Sequence, residues 1–150
     1  MAARKIIKKY EVGLMTMLNK EDEIIDRFGL KPAIDHREII QSLLIDETNN
    51  SSSEDNEYLK TLCIMLFSLG RAEDSLLIWK AKQKNFDASC YIDVQLLCGA
   101  GFENTVEFLK TINDESVSQQ IEYLEKCKGT DFVDFNKETI IENYRQYYGI

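Results

Sequence analysis

The segment SLGRAEDSLLIWK, residues 68–80, has a counterpart further along the chain in GAGFENTVEFLK, residues 99–110. In both segments a glycine is followed by acidic residues, an apolar stretch and a lysine, and the two glycines, Gly70 and Gly101, are 31 positions apart. A strongly apolar stretch precedes each glycine, LCIMLFSLG in the first case and YIDVQLLCGAG in the second. This pattern predicts a helix, a glycine turn and a second helix, formed twice.

The predicted hairpins need each other for stability. A pair of helices of this size cannot bury its apolar face alone, whereas stacking it against a second pair makes one continuous core. At the turns we expect Gly70 and Gly101 to take positive φ angles, which glycine reaches without steric cost. The helical register of Trp79 places its side chain in this core.

Between about residues 57 and 112 the arrangement resembles tetratricopeptide-type helical repeats. The phrase SLGRAEDSLLIW is similar to the turn of that family, in which glycine lets two helices pack closely and an acidic pair opens the second helix. The family has a period near 34 residues, whereas the period here is 30–31 residues and the proline that tends to end each unit is absent. The resemblance implies a helical adaptor or scaffold that binds other proteins.

The rest of the chain also shows helical spacing. Apolar residues at steps of three and four predict further helices before and after the hairpins, and Asp35, Asp87 and Asn136 are expected to cap three of them. There is no convincing set of strands. We therefore predict an all-α fold of six to eight helices, arranged as antiparallel hairpins or an irregular bundle. The predicted helices cover residues 3–28, 35–47, 57–70, 71–84, 87–101, 102–113, 114–129 and 136–150.

The length of 150 residues fits a single domain. Within it, TNNSSSEDN at residues 48–56 is polar throughout, and its short side chains compete with the backbone for hydrogen bonds. We expect this loop to separate an N-terminal helical part from the C-terminal hairpins.

The chain is acidic, with a net charge of −8. Nucleic-acid binding relies on a basic surface, so this class of partner is not expected. No stretch approaches the roughly eighteen apolar residues of a membrane span, and the basic start RKIIKKY lacks the apolar region of a signal peptide. The prediction is a cytoplasmic protein, away from membranes, whose acidity suits a basic protein partner.

Metal and cofactor sites are not indicated. The four cysteines, Cys63, Cys90, Cys98 and Cys127, contain no CxxC pair, and the single histidine, His36, is distant from them in sequence. Cys90 and Cys98 are expected on one helix, too far apart for a disulfide, which favours reduced thiols. Phosphate-binding glycine motifs and nucleophile–base patterns are also missing.

These features favour a non-enzymatic protein-interaction domain. By type, it resembles the small, acidic immunity proteins of bacteria, which neutralise a basic toxin made by their own cell. The alternative is an enzyme or small-ligand-binding domain with a site between helices near Asp93, which lies in the otherwise apolar stretch CYIDVQLL. The candidate partner contacts are Glu73, Asp74, Glu103, Asp131, Asp134, Tyr144 and Tyr148, and the alternative ligand site is Trp79, Cys90 and Asp93.

Overall fold

The computed structural model of the chain describes residues 19–150, and the part of the helix predicted over residues 3–28 that precedes residue 19 lies outside this range. Within it the fold is all-α, as predicted, with no strand. The helices are α1 (Lys20–Phe28), α2 (Arg37–Thr48), α3 (Glu57–Leu69), α4 (Ser75–Lys82), α5 (Phe86–Tyr91), α6 (Phe102–Leu109), α7 (Glu115–Cys127) and α8 (Lys137–Tyr148). Short 3-10 segments cover Ile34–His36, Ala72–Asp74 and Val94–Cys98.

Helix α3 is the centre of the core. Residues 59–67 are all buried, because α1, α2, α4, α8 and the 3-10 segment at residues 94–98 surround this helix. An apolar sequence such as LCIMLF is expected for a helix that is covered on every side. The hairpin α3–α4 forms as predicted, and Trp79 on α4 is buried.

The glycine turns set the spacing of these elements. Gly70 ends α3 in the left-handed conformation, with φ of 77°, and its N–H donates to the carbonyls of Leu66 and Phe67. Gly101 also has a positive φ, 94°, but it lies just before α6. Gly99 makes the closest approach, because a Cβ at this position would lie 2.5 Å from the Phe67 carbonyl oxygen.

For the second predicted hairpin, the prediction of one continuous first helix is wrong. Helix α5 ends at Tyr91, Ile92 and Asp93 are extended, and residues 94–98 form a 3-10 segment. Lys82 stabilises this break, because its ammonium donates to the carbonyls of Ser89 and Ile92. The two cysteines expected on one helix therefore lie on different elements.

Two of the three predicted caps differ in the structure. Asp35 lies inside a 3-10 segment, and α2 begins after it without a side-chain cap. Helix α5 is capped by Asn85 and not by Asp87, with the Asn85 side chain accepting from the N–H of Ala88 at 2.7 Å. Asn136 caps α8 as predicted. Within residues 19–150, every helix is too short or too polar to cross a bilayer.

Candidate protein-binding surface

Of the two acids that precede α4, Asp74 is buried and Glu73 lies on the surface. Asp74 is 1% exposed, and its carboxylate accepts from Arg37 Nε at 2.9 Å, from Arg37 Nη2 at 3.0 Å and from Gln41 Nε2 at 2.6 Å. The hydrogen bond to Asp74 raises the pKa of Arg37. Glu73 is exposed and lies 3.4 Å from Arg37 Nη2. Asp74 therefore ties the turn before α4 to α2.

The remaining predicted acidic contacts lie on exposed parts of the C-terminal half. Glu103 on α6 pairs with Lys128 at 3.5 Å. Asp131 accepts from Thr130 through its carboxylate and from Gln95 through its carbonyl, the latter at 2.9 Å. Asp134 is exposed. These acids and the pair before α4 therefore do not share contact residues.

The two predicted tyrosine contacts attach α8 to the body of the protein. Tyr148 is buried, and its hydroxyl lies 2.7 Å from Thr61 Oγ1 on α3. Tyr144 is partly buried and donates to the carboxylate of Asp93. Burial raises the pKa of both phenols, and the hydrogen bond to Asp93 raises that of Tyr144 further.

The alternative ligand site does not contain the trapped acid that it requires. Asp93 is exposed, and Cys90 is exposed on α5. Trp79 is buried against Tyr123, with ring centroids 5.6 Å apart. Each of the three side chains therefore has a different environment.

A different set of acids and aromatic rings meets at the start of α3 and α5. They surround an open depression of about 720 Å³, which we name the acidic depression. Its lining contains five carboxylates and three aromatic side chains, and among the described residues it contains no lysine or arginine. The lining residues are Asn19, Glu21, Glu54, Asp55, Asn56, Glu57, Phe86, Asp87, Cys90, Tyr91 and Tyr147.

Local turns bring these residues together. In the polar loop, Asp55 Oδ1 accepts from the N–H of Glu57 at 3.0 Å and shapes the entry into α3. The side chains of Asn56 and Asn85 are hydrogen-bonded at 3.3 Å, which joins the loop to the start of α5. Because Asn85 also caps α5, the next residue, Phe86, projects into solvent and is 81% exposed.

Beneath the depression, a buried lysine is held among tyrosine rings. Lys60 Nζ lies 3.8 Å from the ring centroid of Tyr91, 4.5 Å from that of Tyr147 and 5.6 Å from that of Tyr144. Lys60 is only 5% exposed. Burial lowers its pKa, and the nearby Glu57 and Asp93 partly oppose this shift. We name Lys60 and these three rings the lysine cage.

Glu57 connects the cage to the depression. Its carboxylate accepts hydrogen bonds from Tyr91 and from Tyr147, the latter at 2.9 Å. Burial raises the pKa of Tyr91, and the hydrogen bond to Glu57 raises it further. The Tyr91 phenol therefore stays protonated at neutral pH and continues to donate to Glu57.

A larger depression of about 820 Å³ lies between α1 and α2, but its charges are mixed. Lys20 and Arg27 line it together with acids, and Lys20 Nζ lies 3.9 Å from Glu47 Oε1. Its lining carries four acids and two bases, a net charge of −2, whereas the acidic depression carries five acids and no described base. The larger depression therefore creates the weaker field. Across the part of the chain that the structure describes, no group of histidine, cysteine and acidic residues is arranged to hold a metal ion.

Sequence reasoning missed most of the acidic depression. The sequence places Glu54 and Asp55 in a polar loop, Phe86 in a short break between two predicted helices and Asp87 at a predicted helix cap. The available signal was a large aromatic residue beside an acid in a short polar break. Of the nominated residues, only Cys90 lines the depression.

Comparison with known proteins adds no family assignment, because no family model, curated protein or solved structure matches the chain.

Proposed function

We propose that the protein is a non-enzymatic interaction domain that binds a basic protein through the acidic depression. The observation that supports this proposal is the lining itself, which combines five carboxylates and three aromatic side chains without a described lysine or arginine. A concave surface of one charge sign concentrates its field and attracts groups of the opposite sign. Exposed aromatic side chains add contact area and favourable cation–π interactions.

The acids nominated from the sequence extend this field. Glu73, Glu103, Asp131 and Asp134 are exposed, so we propose that they contribute long-range attraction. Asp74 and Tyr148 are buried, and we assign them a structural role. The hairpin α3–α4, which prompted the comparison with tetratricopeptide repeats, serves in this proposal as the rigid support of the surface.

One concrete form of this function is an immunity protein that covers the basic active site of a toxin in the cytoplasm. The net charge of −8 and the four free cysteines support such a setting. In this form, the captured partner should inhibit growth when expressed alone and lose that effect when this protein is expressed with it.

The test compares two full-length variants with the same loss of charge. The first, Glu54→Gln with Asp87→Asn, removes two carboxylates from the depression. The control, Glu107→Gln with Glu125→Gln, removes two exposed carboxylates from α6 and α7. Each protein is used to capture partners from the source cell at low and high salt, and the retained proteins are identified by mass spectrometry.

We expect a basic protein to be retained by the wild type and by the control, and to be lost at high salt and in the depression variant. Protection of Cys90 from a maleimide reagent gives a direct readout, because Cys90 lines the depression and is exposed. Cys63 and Cys98 are buried, and burial raises the pKa of Cys98 to about 12, so both react slowly. Equal losses in the two variants, or a captured partner that leaves Cys90 reactive, would refute the proposal.

A further inference from the structure

We propose that the basic partner is anchored by an arginine whose guanidinium stacks on Phe86 and pairs with Glu54 and Asp87. This inference rests on the proposed function and specifies its chemistry. The three side chains line the same depression, and the partner element that fits them is a protruding arginine on a loop or helix.

Phe86 offers an open aromatic surface. It is 81% exposed, and within residues 19–150 no other ring or cationic group is stacked on it. Its backbone is nevertheless fixed, because Asn85 caps the helix at its side and Asn56 holds Asn85 in place. Single exposed apolar side chains are common on protein surfaces, so it is the presence of acids in the same depression that makes Phe86 a candidate contact residue.

The neighbouring acids differ in how far they are already engaged. Asp55 accepts a backbone hydrogen bond from Glu57, and Glu57 accepts from two tyrosine hydroxyls. Glu54 and Asp87 are exposed, and neither forms a hydrogen bond or ion pair with another described residue. Their carboxylates therefore keep all of their acceptor sites for an incoming cation.

The lysine cage shows that this corner of the fold holds one cationic side chain among aromatic rings, although burial lowers the pKa of Lys60. Tyr91 and Tyr147 line the depression, and the same two rings surround the ammonium of Lys60 on the inner side, with Glu57 hydrogen-bonded to both hydroxyls. Aromatic faces combined with carboxylates are thus already used for one cationic side chain of the protein itself. A second such combination is available in the depression from Phe86, Glu54 and Asp87.

The geometry favours arginine over lysine. A guanidinium is planar, stacks on an aromatic ring and donates through a fork to a carboxylate, whereas an ammonium is compact and more strongly hydrated. An exposed ring flanked by acids can use both properties of arginine at once. Lysine would gain the charge attraction but little of the stacking.

The experiment uses two fluorescent peptides of equal length and charge, one of alternating arginine and alanine and one with lysine in place of arginine. Binding to the full-length protein is measured by fluorescence anisotropy at low salt. We expect the arginine peptide to bind about fivefold more tightly, which corresponds to about 1 kcal/mol of stacking. Phe86→Leu, which keeps an apolar side chain but removes the ring, should abolish this preference and leave binding of the lysine peptide within about twofold.

A matched control is Val133→Ala, which truncates another exposed apolar residue, 64% exposed and outside the lining of the depression. This variant should retain the preference. Equal binding of both peptides to the wild type, or a preference that survives Phe86→Leu, overturns the arginine anchor but leaves the acidic depression as a binding surface. Failure of both peptides to bind overturns the anchor and also counts against the proposed function.

Discussion

Two acidic segments of this protein look alike in sequence but differ in the burial and the partners of their carboxylates. Glu73 and Asp74 precede α4, and Glu54 and Asp55 precede α3. Asp74 is 1% exposed and held by two side chains of α2, whereas Glu54 is exposed and has no partner among the described residues. The first segment stabilises the fold, and the second contributes to a surface.

The difference lies in what distant parts of the chain bring to each acid. Arg37 is 37 positions before Asp74, and it reaches the carboxylate because α2 packs along α3 and α4. No comparable base reaches the loop before α3 within residues 19–150. Whether an acid at a helix start is buried and paired or exposed therefore depends on its tertiary neighbours and not on its local sequence.

The largest expected effect is the loss of the buried carboxylate. Asp74→Ala removes three hydrogen bonds and leaves Arg37 and Gln41 without their acceptor, which should lower the free energy of unfolding by about 3 kcal/mol. Urea denaturation followed by circular dichroism measures this change. The matched variant Glu73→Ala should cost less than about 0.5 kcal/mol, since its ion pair is exposed. Similar losses in the two variants would break the comparison.

An intermediate effect is expected where the buried polar group is a neutral phenol. Tyr148→Phe removes the hydrogen bond to Thr61 and should cost about 1 kcal/mol at neutral pH. Thr61 keeps its second hydrogen bond, to the carbonyl of Glu57, so the loss stays moderate.

The same phenols should make the protein sensitive to alkaline pH. Burial raises the pKa of Tyr91, Tyr144 and Tyr148 above the ordinary value of 10.0, so the folded state keeps protons that the unfolded chain has already released. Stability is then fully present below pH 10 and is lost as the pH rises further. Lys60 acts in the opposite direction, since burial lowers its pKa. Urea titrations between neutral pH and pH 11 should show a shallower loss for Tyr148→Phe, and an unchanged slope would contradict this assignment.

The smallest effect on stability is expected at the surface. Glu54→Gln with Asp87→Asn should change the free energy of unfolding by less than about 0.5 kcal/mol, because neither carboxylate has a described partner to lose. The two substitutions also relieve repulsion within the depression. A loss above about 1 kcal/mol in the urea experiment would show that these acids are structural, as Asp74 is.

Most helices could be predicted because their signals are local. Apolar periodicity marks α3 and α7, Gly70 ends α3, and Asn136 caps α8. The break after α5 could not be predicted in this way. At this break an ammonium from α4 binds carbonyls seven and ten positions later, and the local sequence around Lys82 does not indicate such a contact.

The candidate surface was harder to predict than the fold. It combines residues of the polar loop, of α5 and of α8, which are distant in sequence and adjacent only after folding. Composition predicted the sign of its charge. Its position depends on the contact of Asn56 with Asn85. The spacing of apolar residues in a sequence does not predict a contact between two loops.

Lys82 has a consequence for the kinetics of the proposed binding to a basic partner. A helix of six residues does not persist by itself in water, yet α5 is held because α4 supplies a cation to its terminal carbonyls. The short helix that carries Phe86 is therefore ordered before any encounter. In the proposed function, capture of a ligand by this ordered corner requires no prior ordering step, so its speed should follow diffusion and ionic strength and should not level off at a unimolecular limit as ligand concentration increases.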